Sequence, residues 1–173
     1  HRFGDSATLP LLHQRVRQNN VPRTHKTIHA NSWKGTSLGK DIRRELDQER
    51  NLSYLRLDAK DWGTLADEAR VILSWHEQKE ARDRIKSNGS NQLQGFEVST
   101  LGTTIQMTKG DNEKRWTYGV EYYHDEVDSF SSSNSIQGPV ANDASYDLLD
   151  LFAQRETTLF ESFHLIAGTR FSH

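Results

Sequence analysis

The chain has 173 residues, which sets one domain as the starting expectation, and its 34% apolar content and strongly negative mean hydropathy fall short of a soluble domain with a well-filled core. Four tryptophans and five tyrosines exclude a solvated, disordered tail, and a net charge of −2 gives no electrostatic case for nucleic acid as a partner. The absence of cysteine excludes disulfides and thiolate metal sites and leaves the compartment open.

Seven segments in chain order read as strands: Leu9 to Arg17, Asn51 to Lys60, Ala69 to Ile85, Gln92 to Thr108, Trp116 to Asp128, Tyr146 to Arg155 and His164 to Ser172. The signal is period two, with an apolar and a polar face. In the third, Val71, Leu73 and Trp75 oppose Arg70, Ser74 and His76, with Ile72 the exception. In the fourth, Leu101, Thr103, Ile105 and Met107 alternate with Gly102, Thr104, Gln106 and Thr108. The fifth alternates best: Trp116, Tyr118, Val120 and Tyr122 share one face, and Thr117, Gly119, Glu121 and Tyr123 the other. The sixth puts Asp150 with Tyr146, Leu148, Phe152 and Gln154, opposite Leu149, Leu151 and Ala153. A carboxylate is costly in lipid, so Asp150 is assigned to the wet side or near an interface. In the seventh, Leu165, Ala167, Thr169 and Phe171 oppose Gly168, Arg170 and Ser172.

The connections alternate in length. Asp61 to Glu68, Lys109 to Arg115 and Glu156 to Phe163 are short, whereas Asn19 to Arg50 and Ser129 to Ser145 are long and polar. Lys86 to Ser90 is a tight tip on two long, charged strands. A membrane crossing needs only about 9–11 residues per strand, so this hairpin is expected to project beyond a bilayer. Short turns at one end and long loops at the other describe an outer-membrane barrel. No run of about 18 apolar residues is present, which excludes transmembrane helices but not transmembrane strands. Gly39 to Leu52 has loosely helical spacing and is read as loop with one helical turn, and Trp75 to Lys86 as strand despite its helix-favouring residues.

Several stretches resemble the barrel of TonB-dependent outer-membrane receptors: Trp116-Thr-Tyr-Gly-Val-Glu-Tyr-Tyr-His124, an ascending strand; Tyr146-Asp-Leu-Leu-Asp-Leu-Phe-Ala-Gln154, with aromatic-x-Gln before a periplasmic turn; and His164-Leu-Ile-Ala-Gly-Thr-Arg-Phe171, with Gly-x-Arg-aromatic. Asn20-Val-Pro-Arg-Thr-His25 and Asp47-Gln-Glu-Arg-Asn-Leu-Ser-Tyr-Leu55 are similar to further stretches of such barrels. One departure is Arg155, where the family usually carries an acidic residue.

The resemblance implies an all-β, antiparallel up-and-down transmembrane β-barrel segment. Residues 1–173 would supply about seven strands of a barrel of roughly 22. The plug domain, the signal peptide and the last strand are expected to lie outside this chain. The implied function is uptake of a scarce extracellular ligand (an iron–siderophore, haem or cobalamin) across the outer membrane of a Gram-negative bacterium, energised through TonB. Outer-membrane lipid is the other partner. No enzyme activity, catalytic residue, cofactor or resident metal is expected. The alternatives are a soluble extracellular β-sandwich presenting Ser129 to Ala144 to a glycan or protein, and a β-rich hydrolase using an acidic cluster.

Candidate site residues are few. His25 and His29 have the H-x-x-x-H spacing of metal ligands on a helix, but their surroundings do not read as helix, so exposed loop histidines are the expectation. His76 and His124 are potential contacts to an iron chelate or haem, or ordinary polar lumen residues. Glu121, Asp125, Glu126 and Asp128 cluster at the top of the fifth strand and read as carboxylates lining a lumen or rim rather than a general acid–base pair. Trp75, Trp116 and Tyr118 are candidates for an interfacial aromatic girdle. The alternation predicts that Trp116, Tyr118, Val120 and Tyr122 point away from the barrel axis, and Glu121 and Arg170 toward the lumen.

Overall fold

The computed structural model describes residues 2–3, 6–35, 37–132, 142–160 and 163–173. They form one antiparallel sheet: β1 (Arg2–Phe3), β2 (Ala7–Thr8), β3 (Leu11–Pro22), β4 (Asp41–Lys60), β5 (Glu68–Lys86), β6 (Asn91–Gly110), β7 (Lys114–Ser131), β8 (Ala144–Leu159) and β9 (Phe163–Ser172). From β3 to β9 each strand pairs with the next in sequence, so the topology is up-and-down. β2 and β3 are two halves of one strand, both paired to β4. They part at Pro10, which has no N–H to give the ladder; its carbonyl still accepts from Arg56 N at 3.0 Å.

The all-β, up-and-down expectation holds, and β5 to β9 fall within a few residues of the expected bounds. The largest correction concerns the expected loop Asn19 to Arg50. β3 runs on to Pro22 and β4 begins at Asp41, so the connection shrinks to residues 23–40. The helical turn expected within Gly39 to Leu52 is strand instead. Cross-strand charge pairing is the reason: Arg15 meets Glu49 at 2.6 Å, Gln48 donates to Glu80 at 2.7 Å, and Arg43 pairs with Asp83. Charges of mixed sign that read as helix in one dimension find their partners on neighbouring strands.

The strand ends Lys60 and Glu68, Gly110 and Lys114, and Leu159 and Phe163 lie at one end of the sheet, and Pro22 and Asp41, Lys86 and Asn91, and Ser131 and Ala144 at the other, as the expected topology requires. The carboxylate of Asp111 closes its turn by accepting from Glu113 N and Lys114 N at 2.8 and 3.0 Å. Most of the expected Ser129 to Ser145 loop, residues 133–141, lies outside the described residues.

Strands touch their ladder neighbours and no others, so the described sheet is one layer, curling onto nothing and leaving two open edges. Its buried apolar residues are Leu46, Ala59, Ala66 and Ala69. Globular domains bury the apolar face of a sheet against a second layer. Here neither face is covered.

Candidate functional site

Strand register settles which side chains share a face, because directly opposed residues point the same way. One row of such neighbours runs Leu57, Val71, Ile105, Val120, Leu151, Phe171 across β4 to β9. The row on one side of it contains Ala59, Ala69, Met107, Tyr118 and Ala153, and the row on the other Leu55, Leu73, Thr103, Tyr122 and Leu149. Six strands thus place one continuous apolar band on one face. It is uncovered: Trp75 and Trp116 are 44% and 43% exposed, and Leu151 is 51% exposed.

Trp75 and Trp116 mark opposite edges of that band. Trp75 is opposite Leu101 and Trp116 opposite Lys109, so the two rings lie eight residues apart along the strand direction. That is about 27 Å, or roughly 20 Å along the axis of a barrel whose strands tilt by about 40°. The apolar belt of outer-membrane barrels is about 25 Å tall. The band also drifts. Its upper limit is Trp75 on β5 but Tyr122 on β7, although Trp75 is level with His124 through Leu101. A belt that stays horizontal on tilted strands must cross the register diagonally in this way. At the lower edge the Tyr118 hydroxyl donates to the Leu65 carbonyl at 2.5 Å. Beyond the upper edge the same face is charged, with Arg15–Glu49 at 2.6 Å and Lys79–Glu97 at 2.5 Å.

The opposite face carries charged and hydroxyl side chains interspersed with Ile72, Tyr123, Leu148 and Phe152. Arg170 donates to both Glu121 and Asp150, and Asp150 is buried, with only 2% of its surface exposed. Arg56 and Arg70 both reach Asp58 at 2.7 Å. The assignment of Asp150, Glu121 and Arg170 to the face opposite Trp116 therefore holds, and the register adds that they touch one another. On this face Gly119 and Gly102 sit directly opposite Phe152 and Tyr123, whose rings lie over them.

The candidate residues fare unevenly. His25 lies in the 3-10 turn Thr24–Lys26 and His29 follows it; both are exposed, and among the described residues no third donor gathers with them. His76 and His124 fall on opposite faces. His76 Nε2 accepts from Arg50 Nε at 2.9 Å, and His124 Nδ1 lies 2.8 Å from Asp147 with Glu126 3.6 Å from its other nitrogen. They do not form a joint ligand set. The acidic residues expected to line a lumen or rim are likewise divided between the two faces. Glu121 and Asp125 are on the polar face, Asp125 accepting from Thr100 Oγ1 at 2.6 Å, while Glu126 and Asp128 are on the face of Trp116. Period two separates neighbours in sequence onto opposite sides. His124 lies beyond the band's upper edge; its hydrogen bond to Asp147 raises its pKa against the opposing effect of burial. Asp67 and Asp111, in the turns at the other end, are held below the ordinary carboxylate range by backbone N–H donors, from Gly110 for Asp67 and from Lys114 and Glu113 for Asp111.

One cluster escaped the sequence reading. Asp41, 2% exposed, accepts from Arg84 Nε at 2.8 Å and lies 3.5 Å from Arg44 Nη1. Arg82 stands close by, its pKa lowered by burial and by the charges of Arg44 and Arg84. The alternation of Arg82 and Arg84 was visible, but their convergence on Asp41 requires β4 to begin ten residues before the expected start.

No known protein family matches the chain, and neither a curated protein nor a solved structure is detectably similar to it.

Proposed function

We propose that this sheet is a stretch of wall from a transmembrane β-barrel in the outer membrane of a Gram-negative bacterium. The whole protein would be a receptor that takes up a scarce ligand, of the iron–siderophore, haem or cobalamin class, energised through TonB. The observation that supports the membrane reading is the uncovered apolar band, bracketed by Trp75 and Trp116 and backed by a face whose charges pair with one another. Lipid suits the first face and a wet lumen the second. The open edges of β3 and β9 would pair with further strands of the barrel. The transport reading is supported by the resemblance of the β7, β8 and β9 sequences to TonB-dependent receptors. The ligand undergoes no covalent change in this reading, so it assigns no catalytic residue.

Tryptophan quenching tests the membrane reading. A version keeping Trp116, with Trp33, Trp62 and Trp75 changed to Phe, is placed with phospholipid vesicles brominated along the acyl chains. Bromolipid should quench Trp116, and aqueous acrylamide should not. Trp116 shielded from both quenchers in a detergent-free solution would select the soluble β-sandwich instead. Ferric-chelate uptake by the whole receptor that persists without TonB would overturn the energised-transport part.

A further inference from the structure

At the end of the sheet that carries connection 23–40, a cavity of about 910 Å³ opens between that connection and the ends of β4 and β5. Its charged lining is one-sided. Lys26, Lys40, Arg44 and Arg84 contribute four positive charges and Asp41 one negative, a balance of +3. Arg82 adds to the same field. The single carboxylate is already engaged by Arg84 and Arg44. Among the described residues, no acceptor reaches the buried Nε–H of Arg44, which lines the cavity. Buried donors without partners are rare in folded proteins, and a missing ligand is one of the few explanations for them. Like charges gathered at low solvent exposure repel, and an anion placed among them removes that repulsion.

The base of the connection is tied to β4. Ile28 N donates to Asp41 O at 2.9 Å, and Thr27 bridges to Asp41, tying the connection to the start of β4. Gly39 passes so close to the Lys26 carbonyl that an added Cβ would lie 1.8 Å from its oxygen. The volume lies in the range of small-molecule sites, and Trp33 contributes a planar apolar wall. Guanidinium groups match carboxylate and phosphate oxygens in forked pairs.

We propose that this cavity binds a small, multiply charged oxyanion, bearing carboxylate or phosphate groups, through Arg44, Arg84, Lys26 and Lys40. The site is independent of the membrane reading, since it would hold its ligand whether or not Trp116 faces lipid.

The test is calorimetry on the folded full chain at low salt, with citrate and pyrophosphate as separate probes and uncharged triethyl citrate as control. At least one anion should bind, weaken steeply with added salt, and lose tenfold or more in affinity on Arg84→Gln. The neutral ester should not bind. Citrate alone or pyrophosphate alone identifies the preferred oxyanion. Because Arg84→Gln removes a partner of Asp41 and can disturb folding, the double variant Lys26→Gln/Lys40→Gln, at two exposed positions, should show a loss of the same order. Failure of both anions to bind, or binding unchanged in both variants, would overturn the proposal.

Discussion

Arg155 on β8 lies over the ring of its cross-strand partner Trp116 on β7, with the guanidinium carbon 5.2 Å from the ring centroid. The pair sits at the lower edge of the apolar band, where a long cationic side chain can lay its stem along the ring and keep its head in water. An acidic residue, the usual one here in the resembled family, would face the negative ring surface instead. We expect Arg155→Ala to lower stability by about 0.5–1 kcal/mol, measured by urea unfolding. The loss should disappear when Trp116 is already Leu. An equal loss in that background would mean that the ring contact contributes nothing.

Lysine substitutions should distinguish the two faces of β7. Val120 is in the central apolar row and Tyr118 in the next, while Thr117 faces Thr108 and Gln154 on the polar side. Val120→Lys is expected to cost about 2–4 kcal/mol in lipid vesicles, Tyr118→Lys, near the lower edge of the band, less than that, and Thr117→Lys well under 1 kcal/mol. Equal tolerance at all three positions would contradict a lipid-facing band.

Gly119 should not tolerate even a methyl group. An added Cβ would lie 2.1 Å from the Ile105 carbonyl oxygen and 2.7 Å from the Phe152 ring. A ring covering a cross-strand glycine replaces the packing that the missing side chain leaves vacant. Gly119→Ala is expected to destabilise by about 1–3 kcal/mol through overpacking. Gly168, where the nearest atom would be 3.4 Å away, should accept Ala within about 0.5 kcal/mol. Matched unfolding curves for the two variants check this, and a tolerant Gly119 would show that Phe152 does not rest on it.

The His124–Asp147 contact should make stability depend on pH. Asp147 raises the pKa of His124, while Tyr122 first and His124 second hold Asp147 below the ordinary carboxylate range. For the histidine, folding favours the protonated form. Its contribution is complete below the unfolded histidine value of about 6.5 and is lost as pH rises through the elevated folded value. For the aspartate, the contribution is present above the unfolded value of about 3.9 and is lost as pH falls through the depressed folded one. The wild type should therefore exceed His124→Gln in unfolding midpoint at pH 5.5, and the gap should close above the histidine titration. A gap unchanged from pH 5.5 to 9 would show that charge is not its source.

The sequence by itself determined the strands that cross the apolar band and the two faces of each. In β7 the alternation of Trp116, Tyr118, Val120 and Tyr122 with Thr117, Gly119 and Glu121 is a local record of two different surroundings, and it needs no knowledge of neighbours. Asp150 could be assigned to the polar side on the same ground. Beyond the band this record fades. Residues 41–50 carry charges on both faces, so hydropathy no longer alternates and this half of β4 read as loop. Only the tertiary structure supplied the register. Register brought Arg170 to Glu121 and Asp150, separated His76 from His124, and gathered Arg44, Arg82 and Arg84 around Asp41. Each of these contacts joins residues far apart in the chain, and a one-residue slip of pairing would undo them while leaving every strand's own alternation intact.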